Sequence, residues 1–589
     1  MKGVVTVETV TLTIDGQRVE IEKGKTLLDA AKKAGIKIPT LCHHPALRNE
    51  GACRLCLVEL EKSKKLVTSC VFPVEEGIAV RTNTPAIREA RKTILELLIA
   101  GHPQDCLTCT RNGECELQTL AEEFGIRDIR FERSPKSFAR DTSSPSLVRD
   151  PEKCVLCGRC VRMCAEVQSV SVLGFTHRGP EVQVEPAFKR GLGEGPCVTC
   201  GQCASVCPVG AIYEKDSIED IWNALGDPEK HVVVQVAPAV RAALGEEFGF
   251  EPGTSVTKKM AAALRRLGFD KVFDTQFTAD LTILEEGHEF IGRLTEGSGL
   301  PLITSCSPGW INYCENFFPE FVDNLSSCKS PQQMFGALVK TYYASKFGID
   351  PSKIYSVSVM PCTAKKYEAE RPEMNSSGFK DVDAVLTTRE LARMIKEAGI
   401  DFVNLPDEDF DAPLGISTGA STIFGVTGGV MEAALRTVYE VVTGENLDSI
   451  EFQCVRGLEG VKEAEIELNG KKVRVAVANG LGNAAKVLNS LRTGEKSYDF
   501  IEIMACPSGC IGGGGQPRNA GLEVKELRAK ALYDEDRSME LRKSHENPAV
   551  KALYDEFLGK PGSPKSHHLL HTSYKTPEEK GIKVVKTAV

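Results

Sequence analysis

The sequence predicts a multidomain chain, α+β in its front part and α/β in a two-lobed rear domain. Three observations predict this. Most of the 22 cysteines fall in spaced groups before residue 208, and the remainder are scattered after residue 305. Residues 9–22 alternate apolar and polar, as a half-buried hairpin does. From about residue 217 onward, apolar strand runs alternate with helical stretches. The expected segments are 1–80, 81–140, 141–216 and 217–575, with a surface tail at 576–589. A chain of 589 residues needs several cores.

Composition narrows the function classes. The net charge of -9 argues against a nucleic-acid partner. No apolar run approaches a membrane span. The start, MKGVVTVETV, has no continuous apolar stretch of a secretory signal, so the expected compartment is cytoplasmic. Cysteines in that compartment are metal ligands before they are disulfides.

The elements follow in order. Val10, Leu12 and Ile14 alternate up to Asp15-Gly16, a hairpin turn, and Val19 and Ile21 continue beyond it. Thr26 opens a short helix that Gly35 stops. Cys42, Cys53, Cys56 and Cys70 then follow in a Cys-x10-Cys-x2-Cys-x13-Cys loop. This segment resembles a plant-type [2Fe–2S] ferredoxin, a β-grasp fold, with a wider first gap. Thr84-Pro85 opens a second helix, with Ile87, Ala90, Ile94, Leu97 and Leu98 expected on its buried face. His102, Cys106, Cys109 and Cys115 complete a four-ligand set. Their spacing resembles the His-ligated [4Fe–4S] site of hydrogenases and of a large complex I subunit; zinc is the alternative. Residues 154–207 hold two copies of Cys-x2-Cys-x2-Cys-x3-Cys, the two-cluster bacterial ferredoxin pattern. In that pattern the fourth cysteine crosses over. Cys154, Cys157, Cys160 and Cys207 would hold one cube, and Cys197, Cys200, Cys203 and Cys164 the other. The front part therefore reads as a wire for single electrons.

In the rear domain, Val232–Ala237, Lys271–Asp274, Ile354–Met360 and Val473–Ala478 read as strands, with a helix over 240–247. Three loops carry cysteine: Ile303-Thr-Ser-Cys-Ser-Pro-Gly-Trp310, Val359-Met-Pro-Cys-Thr-Ala-Lys-Lys-Tyr-Glu368 and Met504-Ala-Cys-Pro-Ser-Gly-Cys-Ile-Gly-Gly513. In this order, behind such a wire, they resemble the three signature segments of the [FeFe]-hydrogenases of the multi-cluster clostridial type.

The resemblance implies an enzyme that interconverts H₂ with two protons and two electrons. Its cofactor would be the H-cluster, a [4Fe–4S] cube joined to a two-iron subsite with CO, CN and a dithiolate amine. Three accessory [4Fe–4S] clusters and one [2Fe–2S] would feed it. By position, Cys362, Cys506 and Cys510 ligate the cube and Cys510 bridges to the subsite. Lys365 and Gln332 would contact its diatomic ligands. Met360, Met504, Phe424, Gly425, Ala237 and Pro238 would wall it, and the glycines after Cys510 would let backbone lie close to it. Cys306 would deliver protons, relayed through Glu286, Ser326, Glu289 and Arg293. The family usually has a second cysteine after the proton-transfer cysteine, and here Ser307 stands there. Either Ser307 takes the fourth cube position, or Cys306 shifts register to become the ligand, or another residue fills the shell. Cys314 and Cys328 are the nearest spare thiols and read as core residues.

Implied partners are a ferredoxin or similar carrier, flavoprotein or NADH-linked subunits, and hydrogenase maturation proteins. Lys62, Lys64 and Lys65 could dock an acidic ferredoxin or form a solvated turn. A pure electron-transfer subunit, a hydrogen sensor and an iron–sulfur assembly relative are the competing classes. The intact loops speak against the first and the last, and the retained Cys306 speaks against a sensor.

Overall fold

The computed structural model describes residues 8–133, 137–447, 449–518, 520–576 and 578–579. The residues before 8, and the tail apart from Thr576, Glu578 and Glu579, lie outside the described residues.

The front hairpin pairs Thr9–Ile14 with Gln17–Glu22. Asp15 and Gly16 turn it with φ of 50° and 83°. Two positive φ values in a two-residue loop match the twist of the flanking strands. The sheet grows to five strands by adding Ala79–Arg81, Leu57–Leu60 and Leu66–Thr68. Helix Leu27–Lys33 packs on it, started by a capping box between Thr26 and Asp29. Lys62, Lys64 and Lys65 lie exposed in the Leu57–Thr68 hairpin.

Helix Pro85–Ala100 has the expected Thr84 cap and Gly101 stop. Of its expected face, Ile87 is buried and Ile94 and Leu98 pack on the core, while Leu97 is 53% exposed. Arg91, Leu95 and Glu96 are buried as well, and the Arg91 guanidinium donates to Leu57 O at 2.6 Å. The two-cluster segment is internally repeated. Gly158 and Gly201, both at φ 70°, start the short helices Arg159–Arg162 and Gln202–Val206. The insertion between the copies forms the small hairpin Gly174–Thr176/Gln183–Glu185.

The rear domain holds two four-stranded sheets. One is parallel, in the order Lys271–Asp274, His231–Val236, Ile354–Met360, Ala384–Thr387. The other runs Leu302–Ile303, Phe500–Met504, Lys471–Asn479, Val461–Leu468, and its last strand is antiparallel. The expected helix over 240–247 is instead Pro238–Arg241 and a 3₁₀ turn at Leu244–Phe248. The chain leaves helical geometry at Ala243, with φ -129°, and Arg241 ends the first piece with its guanidinium on Asp274 at 2.8 Å and Glu535 at 2.9 Å. No described helix is long and apolar enough to cross a membrane.

Candidate active site

The cysteine loops leave the carboxyl ends of parallel strands from both sheets. Cys362 follows Ile354–Met360 in one sheet. Cys306 follows Leu302–Ile303, and Cys506 follows Phe500–Met504, in the other. Strand ends are where α/β sheets leave room for a ligand. The loops close on one cavity. Cys306, Ser307, Cys362, Cys506 and Cys510 all line it. So do all eight expected wall residues: Ala237, Pro238, Gln332, Met360, Lys365, Phe424, Gly425 and Met504.

The Cys362 and Cys506 thiols are near enough to act on each other's protons. Burial pushes the Cys510 thiol up to about 12. Three soft donors in an apolar pocket suit iron, whose binding supplies the charge that deprotonates them. The glycines after Cys510, however, face protein first. A Cβ would lie 2.2 Å from Pro507 O at Gly512, 2.2 Å from Pro361 O at Gly513 and 2.3 Å from Cys200 O at Gly514. Their freedom is used to press the Cys510, Cys362 and Cys200 loops together, although Gly509 and Gly513 do line the cavity.

One wall is polar. Lys365 Nζ donates to Cys306 O at 3.1 Å and to Glu368 Oε2 at 2.9 Å. Glu368 also accepts from Ser330 Oγ at 2.9 Å and Gln332 Nε2 at 3.1 Å. Gln332 Oε1 in turn accepts from Ser358 at 2.8 Å. Glu368 thus holds both Lys365 and Gln332 in place.

The expected relay residues run outward from this cavity. Burial pushes the Cys306 thiol well up, and the charges that act on it next are Glu286, Lys365 and Cys510. Glu286 is 2% exposed, on helix Thr275–Glu296. Burial pushes its carboxyl up to about 8, against a bond from Ser326 and with help from Glu289 and Glu502. Ser326 Oγ lies 3.5 Å from Glu289 Oε2, and Arg293 Nη2 lies 2.6 Å from Glu289 Oε1. Cys306 therefore faces the acids, while Ser307 faces the Cys506 loop, its Oγ accepting from Ala505 N at 3.2 Å. Cys314 is core, against Trp310 and Phe318. Cys328 is buried too, but among Glu285, Glu286 and Glu289, whose charges join burial in pushing its thiol up.

The front cysteines sort as the ferredoxin pattern implies. Cys154, Cys157, Cys160 and Cys207 line one cavity. Cys164, Cys197, Cys200 and Cys203 line another. Among the described residues, none of the expected cysteine sets brings three ligand atoms within 4.8 Å of one another. Arg162 ties the first loop to the first cube, donating to Cys42 O at 2.7 Å and Cys157 O at 3.4 Å. Cys109 Sγ would lie 2.9 Å from a Cβ at Gly210, beside the Cys207 loop, and Cys115 packs in one apolar cluster with Cys53, Cys154 and Cys207. His102 and Cys106 precede them, Cys106 exposed. The Cys200 and Cys506 thiols are close enough to act on each other electrostatically. Thr363 Oγ1 donates to Thr199 O at 2.7 Å, and Gln168 Nε2 to Ala505 O at 2.9 Å.

Comparison with known proteins agrees. Residues 230–514 match the iron only hydrogenase large subunit, C-terminal domain. The NADP-reducing hydrogenase subunit HndD of Solidesulfovibrio fructosivorans is 53% identical over 576 residues, covering 96% of this chain and 98% of its own. Iron hydrogenase 1 of Clostridium pasteurianum is 43% identical, covering 96% and 100%. The chain belongs to the [FeFe]-hydrogenases. Further matches are a 2Fe-2S iron-sulfur cluster binding domain (7–85), an NADH-ubiquinone oxidoreductase-G iron-sulfur binding region (91–130) and the ferredoxin-like domain of NADH-quinone oxidoreductase subunit 3 (144–213). Residues 522–576 match the iron hydrogenase small subunit. In this hydrogenase that segment packs back on the catalytic cavity wall, where Leu532 meets Gly425. A structure of the [FeFe]-hydrogenase HydA1 of Chlamydomonas reinhardtii aligns with 61% of this chain and 98% of its own, at TM-score 0.56 and 45% identity.

Sequence reasoning missed two carboxylates. Glu368 was quoted in its loop without a role, although Lys365 and Glu368 stand three apart on one helix. Glu502 sits in the apolar strand Phe500–Met504, fully buried, accepting from Gly428 N at 2.6 Å and Met431 N at 2.7 Å. A glutamate inside a run such as Phe-Ile-Glu-Ile-Met is itself a signal, since a buried charge needs dedicated partners.

Proposed function

We propose that this hydrogenase interconverts H₂ with two protons and two electrons in the cavity of Cys306, Cys362, Cys506 and Cys510. The convergence of three cysteine loops and all the expected wall residues on one cavity carries this reading. Cys362, Cys506 and Cys510 would hold a [4Fe–4S] cube, Cys510 also a two-iron subsite, and the Ser307 oxygen would fill the fourth position. When bound, that subsite supplies the metal at which electrons and protons combine. Lys365, fixed by Glu368, presents an ammonium to an anionic ligand, and Gln332 presents an amide. Met360, Met504 and Phe424 exclude water, with Ala237, Pro238 and Gly425 beneath. Cys306 gives and takes the proton at its Sγ. Glu286, Ser326, Glu289 and Arg293 pass protons between that thiol and solvent. The front cysteines and His102 would hold one [2Fe–2S] and three [4Fe–4S] centres, which supply a path for single electrons when bound, and Cys200 lies at the end of that path nearest Cys506. The carrier would be a ferredoxin, in the cytoplasm. The infrared spectrum of the matured protein tests this. Carbonyl and cyanide bands are expected; their absence after maturation would sink it.

A second reading keeps the chemistry and changes the partner. The likeness to an NADP-reducing hydrogenase subunit over nearly its whole length favours a catalytic subunit that draws on flavoprotein, nicotinamide-linked chains. Co-purification of such chains from the native source tests it.

A further inference from the structure

The hydrogen bonds around Glu289 do not end at Arg293. Ser327 donates its backbone N–H to Glu289 Oε2 at 3.0 Å, and its Oγ lies 2.9 Å from the same oxygen. On the other side, Ser327 Oγ meets His571 Nδ1 at 2.8 Å. His571 Nε2 then meets Glu285 Oε2 at 3.0 Å. Glu285 is buried beneath this chain and also accepts from Tyr554 Oη at 2.5 Å, Gly562 N at 2.9 Å and the Ser566 hydroxyl. Burial pushes its carboxyl up, but the bonds from His571, Ser566, Tyr554 and Gly562 outweigh burial and leave it below its ordinary value.

Counting hydrogens along this chain leaves two arrangements. An ionised Glu285 only accepts, so His571 Nε2 carries a hydrogen in both. If Nδ1 is bare, it must accept, and the Ser327 hydroxyl is the donor that serves it. The hydroxyl hydrogen then points away from Glu289. If Nδ1 also carries a hydrogen, it donates to Ser327 Oγ, and the hydroxyl hydrogen is released toward Glu289.

We propose that His571 is a positioning residue of the proton relay, which through its bond to Ser327 Oγ decides whether that hydroxyl faces Glu289 and so sets the speed of the relay in both directions. This rests on the relay reading given above. A hydroxyl turned onto Glu289 is one more donor to that carboxylate, and a hydroxyl turned onto His571 Nδ1 is one fewer. Glu289 stands between solvent and Glu286 whichever way protons run, so a change in its bonding moves H₂ production and H₂ uptake together. The titratable and charged groups around His571 are Glu285 and Glu289 from helix Thr275–Glu296, with Arg293 bonded to Glu289. Cys328 Sγ lies 4.0 Å from Nδ1, and Tyr554 lies across Glu285. On its own helix, the exposed His567 stacks on His571 with ring centroids 4.9 Å apart, offering a contact with solvent.

The test compares H₂ production and H₂ uptake rates of the matured enzyme, with small redox dyes, from about pH 5 to 8. The proteins are wild type, His571→Gln, Ser327→Ala, the double variant and Glu289→Gln. In His571→Gln production and uptake should fall together by about tenfold, with a pH profile unlike that of wild type, as loss of one charge-assisted hydrogen bond allows. Ser327→Ala, which leaves the His571–Glu285 pair whole, should behave like His571→Gln, and the double variant like either one. If His571→Gln does not mature, Ser327→Ala carries the comparison alone. A wild-type pH course in the variants, with intact carbonyl and cyanide bands, overturns the inference. If Glu289→Gln itself keeps wild-type rates in both directions, the relay reading fails instead.

Discussion

Replacing Glu286 by glutamine should weaken catalysis and strengthen the fold, and both effects can be sized. Glu286 is 2% exposed. Burial, opposed by the Ser326 bond and reinforced by Glu289 and Glu502, pushes its carboxyl from the ordinary 4.5 to about 8. At about 1.4 kcal/mol per pH unit, keeping it ionised in the native protein costs about 5 kcal/mol. The sign follows from linkage. Below 4.5 the carboxyl is neutral folded or unfolded, and nothing is lost. Between 4.5 and about 8 the unfolded chain ionises while the native one does not, so stability falls as pH rises. Above 8 the whole penalty is present. Glutamine keeps the shape and a bond to Ser326 but cannot ionise. Glu286→Gln should therefore gain up to about 5 kcal/mol over wild type at alkaline pH, the gain shrinking as pH falls. Turnover should drop by about 10²- to 10⁴-fold, the usual worth of a positioned acid–base group. The assays are unfolding of the cluster-loaded proteins from about pH 6 upward, the range over which linkage predicts the change, and H₂ evolution at matched cofactor content. A variant that unfolds with wild-type pH dependence, or turns over at the wild-type rate, would refute the reasoning.

Three further outcomes are expected. Cys306→Ala should lose most turnover while its carbonyl and cyanide infrared bands remain; their disappearance would make Cys306 a ligand or a structural residue. Ser307→Cys should move the reduction potential and the electron paramagnetic resonance signal of the cube, and an unchanged signal would mean that Ser307 does not reach the metal. Glu368→Gln removes the carboxylate that holds Lys365 and Gln332, a loss of about 1.5–3 kcal/mol for a charged hydrogen bond. It should show as a shifted cyanide band and roughly tenfold slower turnover, against no change in either if Lys365 orients itself.

Much of the site was legible because its signals are local. Cluster ligands recur at short fixed spacings, so Cys506 and Cys510 stood out as one site, and the resemblance of the three loops to a known family joined Cys362 to them. The two sheets were legible as strand and helix alternation. What stayed hidden depends on partners distant in sequence. On helix Pro85–Ala100 the burial of Arg91 stayed hidden, because its partner is Leu57 O and apolar periodicity takes no account of a buried guanidinium. The partners of buried Arg241, Asp274 and Glu535, are equally invisible from its neighbours in sequence. Likewise, Ser327, His571 and Glu285 form one chain only once residues some 240 and 280 positions apart are folded together.

The closeness of Gly514 to Cys200 bears on how this enzyme can be divided. A Cβ at 514 would lie 2.3 Å from the Cys200 carbonyl oxygen, so the joint between the Cys200 loop and the catalytic pocket is main chain against main chain. Side chains at a joint can be exchanged one at a time; a backbone carbonyl cannot. A grafted electron-carrying front must therefore bring a loop that turns at the same place, and a chain cut short before residue 215 loses the constraint altogether. In such a shortened protein alanine at 514 should become harmless. The constraint on that glycine is then a record of whether the catalytic domain is inherited with its wiring or alone.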